Sequence, residues 1–112
     1  MVLLGLNNMN WYSRLYVGRN AQSNKHRIIS KIKKNKPQMG IYVLTLPANN
    51  ENVLDIYPAN TLLQPHYRQS DILVVGIAKG RSEAMELMTQ IVMEAYEFTG
   101  SYKVRNLVEK YS

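Results

Sequence analysis

The sequence has no cysteine. Disulfides, thiol nucleophiles and thiolate-bound zinc are therefore excluded at once, and a reducing compartment suits the chain. Carboxylates are missing from its first half, where no Asp or Glu precedes Glu51. Long hydrophobic runs are also missing, since none approaches the roughly 18 residues that a membrane span needs. Met1–Leu6 is too short, and lacks the basic start, for a signal-peptide core. The expectation is a cytoplasmic protein without membrane contact. Histidine is scarce, and His26 and His66 fit no HExxH or other ligand spacing, so neither a metal site nor a cofactor is expected.

What is present fits one globular domain over residues 1–112. Apolar residues make up 46% and charged residues 20%, values that argue against general disorder. A chain of this size can bury about two-thirds of its unfolded surface, enough for a core without staples. Met9 is a plausible alternative start, so residues 1–10 are read as an extension with little structural role.

The net charge of +6 is unevenly spread. Residues 1–50 carry eight cations and no acid, while residues 51–112 carry six cations against eight acids. This asymmetry suggests an anionic partner for the first half, or complementary packing of the halves within one molecule or a homo-oligomer.

The stretch Asp71–Ala78 is apolar after its first residue and rich in β-branched types, which predicts a strand covered on both faces. From Ser82 the pattern turns helical. Ala84, Leu87, Met88, Ile91, Ala95 and Phe98 share a stripe, widened by Met85, Val92 and Tyr96, with Glu83, Glu86, Gln90, Glu94 and Glu97 opposite. Met93 falls outside the stripe and is the interface candidate of this helix.

Strands are also expected at 11–17 and 41–46, the second opened by Gly40 and closed by Pro47. Between them Ser23 or Asn24 offers an N-cap for a helix over 25–36, stopped by Pro37. Residues 48–52 read as a loop. In 53–69, Pro58 suits a first helical position, whereas Pro65 requires any helix to be short or to begin near Thr61. Thr99-Gly100-Ser101 stops the long helix before a last one, Tyr102–Tyr111, that buries Val104, Leu107 and Val108.

The order β-α-β-(short α)-β-α-α indicates a small α/β layered domain. Right-handed crossovers would make three strands mutually parallel, with room for a fourth. An α+β arrangement with one antiparallel pair is the alternative, because the 48–70 connection does not force a crossover.

Three constellations can carry function. Lys25, Arg27, Lys31, Lys33, Lys34 and Lys36 form a basic helix suited to nucleic-acid phosphates, although no aromatic residue is interleaved for base stacking. The plainer account is a solvated outer face. The second constellation is Lys79-Gly80-Arg81-Ser82, which departs from a P-loop in spacing and has Arg where Lys is required. With Arg19, at the carboxyl edge of a parallel sheet, it could still hold the anion of a phosphorylated small molecule. Its plainer account is a tight turn capped by Ser82. The third groups Asp55, Tyr57, His66, Tyr67, Arg68 and Asp71 around the irregular segment, where acid–base work is conceivable but no nucleophile motif accompanies them.

The preferred reading is a small non-catalytic binding or regulatory protein with a basic N-terminal half for an anionic partner such as nucleic acid. An enzyme or binding protein for a phosphorylated ligand comes second, and a structural homo-oligomer third.

Overall fold

The computed structural model describes residues 9–46, 54–64 and 72–112. Four strands, β1 (Asn10–Val17), β2 (Ile41–Leu46), β3 (Asp55–Pro58) and β4 (Leu73–Lys79), form a single sheet in the order β1-β4-β2-β3. The helices are α1 (Lys25–Lys33), α2 (Arg81–Thr99) and α3 (Val104–Lys110), with 3-10 turns at Gln22–Asn24 and Ala59–Leu63.

Only β1 and β4 are parallel, while β2 runs antiparallel to both β4 and β3. The domain is thus mixed α/β, and the expectation of three mutually parallel strands is corrected. A strand buried on both faces reads the same in either direction, so apolarity could not report polarity. The short link from Leu46 to Asp55 suits antiparallel neighbours, which need no helical crossover. The fourth strand is the short β3. It ends at Pro58, which is both the last residue of that strand and the N-cap of the 3-10 turn Ala59–Leu63, the short helix expected in this stretch.

The sheet separates two cores. On one side α2 and α3 bring Ala84, Leu87, Ile91, Ala95, Val104, Leu107 and Val108 onto Leu44, Leu46, Val75 and Tyr12. On the other, α1 contributes Ile28 and Ile32 against Val43, Val74 and Ile77, joined by Ala59 and Leu62 from the 3-10 turn. Val74, Val75 and Ile77 are fully buried, at roughly 1.5–3 kcal/mol of transfer free energy for each large side chain. Helices on both faces explain the uninterrupted apolar pattern of β4. Several expected stripe residues of α2, namely Met85, Tyr96 and Phe98, lie exposed, as does Met93.

Met9 is buried and Asn10 opens β1, so these two residues belong to the folded domain. Residues 1–8 and the 48–52 loop lie outside the described residues, as do Pro47, Val53 and residues 65–71. Helix α1 ends before the expected Lys36. Asn35 takes a left-handed conformation (φ 57°), its N–H donates to Ile32 O, and Lys36 N–H donates to Lys31 O. These two bonds make a Schellman stop, so the helix closes ahead of Pro37. Among the described residues no helix is long and apolar enough to cross a membrane.

Candidate functional site

The parallel ends of β1 and β4 bring Gly18-Arg19-Asn20 and the start of α2 to one sheet edge. A depression of about 510 Å³ lies there, bordered by Gly18, Arg19, Asn20, Ser82, Glu83 and Glu86. Lys79 and Arg81 are exposed at the same end but do not line it. The expected cap is also corrected. Gly80, at φ 96°, is the N-cap, no side chain caps the helix, and Ser82 sits exposed in the first turn.

Glu83 does what an outside anion would do. Its carboxylate accepts the backbone N–H of Asn20 at 2.5 Å on Oε1 and of Lys79 at 2.8 Å on Oε2. Only 9% of the residue is exposed. An acid in the first turn also complements the helix dipole. Glu83 follows the N-cap by three positions, the spacing of a capping box, and this was the signal available in the sequence. Arg19 therefore shares this depression with two carboxylates, Glu83 and Glu86, the first of which accepts from Asn20 and Lys79.

A second depression, of about 540 Å³, adjoins the first along β1. Tyr12, Arg14, Tyr16, Glu94, Phe98 and Tyr111 are among its lining residues. The Arg14 guanidinium lies 4.5 Å from the centre of the Tyr111 ring, and Lys110 Nζ approaches the same ring at 5.6 Å. Phe98 meets Tyr111 edge-on at 6.2 Å. Tyr16 donates its O–H to Glu94 Oε1 at 2.6 Å, and Gln90 Nε2 donates to Glu94 Oε2 at 3.0 Å. Burial, reinforced by the bond to Glu94, holds the Tyr16 phenol well above the ordinary tyrosine range. Burial also raises Tyr12.

This depression borders an irregular sheet edge. Trp11 pairs with Val74 and Tyr16 with Gly76, so five steps along β1 answer two along β4. The three surplus residues form a bulge that carries Arg14. Bulges at sheet edges re-aim side chains in this way.

The basic constellation lies across the sheet. On α1, Arg27, Lys33 and Lys34 are exposed and Lys25 and Lys31 half-buried, with Lys36 exposed just beyond. Lys33 Nζ sits 5.6 Å from the Trp11 ring centre. An aromatic partner for this patch therefore exists, supplied by β1 from outside the helical run. Of the acid–base group, Asp55 and Tyr57 lie on β3 with Tyr57 O–H donating to Asp55 Oδ2 at 3.4 Å. His66, Tyr67, Arg68 and Asp71 are outside the described residues. Among those described, no group of three or more His, Cys, Asp or Glu side chains could hold a metal.

The geometry defines a small mixed α/β domain with a basic helix on one face and an aromatic depression at its β1 edge. No protein-family model, curated protein or solved structure matches the chain.

Proposed function

We propose that this protein is a non-catalytic binding or regulatory module whose α1 face engages an anionic partner, with nucleic acid the polyanion that fits best. The observation that carries the reading is the placement of charge along α1. Lys31 and Lys33 lie in its last turn, where the helix dipole favours cations. Lys25 and Arg27 lie at the opposite end, where the dipole disfavours them, and no acidic residue occupies that first turn. Stability of the helix alone does not account for cations at both ends. Contact with phosphates does.

A phosphorylated small molecule at the Arg19/Arg81 edge has weaker support. Glu83 already accepts the N–H groups of Asn20 and Lys79, and Glu86 adds a second negative charge to the depression that Arg19 lines.

The test is binding of labelled nucleic acid at several salt concentrations. The triple variant Lys31→Gln, Lys33→Gln, Lys34→Gln should flatten the slope of log affinity against log salt by about 2–3 if all three contact phosphates. Absence of binding by the unaltered protein at low salt would remove the proposal.

A further inference from the structure

We propose that the depression between β1, α2 and α3 receives an unstacked base of a single-stranded nucleic acid, so that the partner of the basic half is single-stranded. This inference rests on the nucleic-acid reading of α1 and adds the strand type and a second contact site.

Single strands are held by cations that track the phosphates and by aromatic rings on which bases stack. The α1 sequence supplies the first and lacks the second. The fold brings them together along β1. At one end of this strand Trp11 lies under Lys33, and three residues further on Arg14 lies over Tyr111. Trp11 packs with the α1 core and Tyr111 with the α2–α3 core. A chain crossing the β1 edge would therefore meet a ring with its own cation on each side of the sheet. The paired rings of a duplex, closed within its stack, could not reach such a slot.

The cavity itself suits a base. Its volume of about 540 Å³ falls within the 300–1,000 Å³ typical of small-molecule sites. Tyr111 and Phe98 offer ring surface, and Glu94 offers acceptor oxygens whose present donors are Tyr16 and Gln90. A carboxylate oxygen keeps a second lone pair after one hydrogen bond. An exocyclic amino group, as on cytosine or adenine, can use it; thymine has none. Charge fixes the direction of approach. Glu86, Glu94 and Glu97 on α2 repel phosphates, whereas Arg14, Arg19 and the α1 cations attract them, and Lys110, the cation on the α3 side of Tyr111, is engaged with Phe98 O. The backbone then follows the β1 side and the base turns inward.

The experiment compares labelled twelve-nucleotide oligo-dC, oligo-dT and a mixed-sequence duplex at low salt, using fluorescence anisotropy on the full chain. Oligo-dC should bind more tightly than the duplex, and oligo-dT should fall between them. Tyr111→Ala should weaken oligo-dC binding about fivefold or more, as loss of one stacking contact implies. Tyr111→Trp should restore it, while duplex affinity and the melting temperature of the protein set the reference for each variant. Equal affinity for single strand and duplex, unmoved by Tyr111→Ala, would overturn this inference and leave the α1 proposal standing. Loss of binding only in the α1 triple variant would have the same meaning. No binding to any oligonucleotide would overturn both.

Discussion

The carboxylate of Glu83 lies so close to Gly18 that a Cβ at position 18 would collide with it. Gly18 has no need of a positive φ, so the requirement for glycine is one of space alone. The same carboxylate ties β1 to the entry of α2 through the N–H groups of Asn20 and Lys79. One side chain thus joins the two parallel strand ends, and a glycine makes room for it.

Gly18→Ala should therefore cost about 1–3 kcal/mol, the range for overpacking. Glu83→Ala should cost a similar amount by removing the acceptor of two part-buried hydrogen bonds, from the N–H groups of Asn20 and Lys79. The double variant should cost clearly less than the sum, because removing the carboxylate removes the clash. Denaturant melts of the four proteins measure this coupling. Additive losses would mean that Gly18 and Glu83 act independently.

Two helix ends predict opposite responses to substitution. Gly100 caps α2 at φ 77°, with its N–H donating to Tyr96 O. Gly100→Ala should destabilise by about 1 kcal/mol, because L-residues are strained in this region. Asn35 ends α1 at φ 57°, a conformation that glycine adopts without strain. Asn35→Gly should be neutral or slightly stabilising. Thermal melts of the two variants should move to opposite sides of the parent or leave only Gly100→Ala displaced.

Burial at the centre of β4 gives the harshest expectation. Val74 of β4 is fully buried within the core on the α1 side of the sheet. Val74→Asp would place a charge there without a partner, at a cost of several kcal/mol against a total stability of about 5–15 kcal/mol. The variant should lose cooperative unfolding by circular dichroism. A soluble variant with an unchanged melting temperature would place this strand at the surface.

The elements with strong patterns were legible in the chain before its fold. β4 and α2 were readable because a β-branched run and a 3.6-residue stripe are local signals. Strand direction was not, since β2 and β4 are both buried on both faces and differ only in how distant segments connect. The short β3 offered four residues, one of them Pro58, too few for a periodic signal. The pairing of Arg14 with Tyr111 joins residues at opposite ends of the chain, so the aromatic partner missing from α1 could not be found by looking within α1. Glu83 had a usable signal in its spacing from Gly80. It was obscured because Ser82 is the more familiar capping residue.

The Tyr16–Glu94 bond links stability to pH in a definite sense. Burial, and then the bond to Glu94, raise the folded pKa of Tyr16 above the unfolded value near 10. A raised pKa favours the protonated form, so its contribution is complete below about pH 10. Above that value the unfolded phenol releases its proton while the folded one retains it. Unfolding is then favoured, and stability falls as pH rises toward the folded pKa. The buried Tyr12 adds a change of the same sign. Melting temperatures measured between pH 8 and 11 should decline at the alkaline end. Tyr16→Phe should lower stability near pH 8, where it removes the donor to Glu94, and should reduce the alkaline decline because one titrating phenol is gone. Ultraviolet difference titration provides an independent reading. In the folded protein Tyr16 should ionise above the ordinary tyrosine range, and the slope of stability against pH should be the same in parent and variant if Tyr16 is freely solvated.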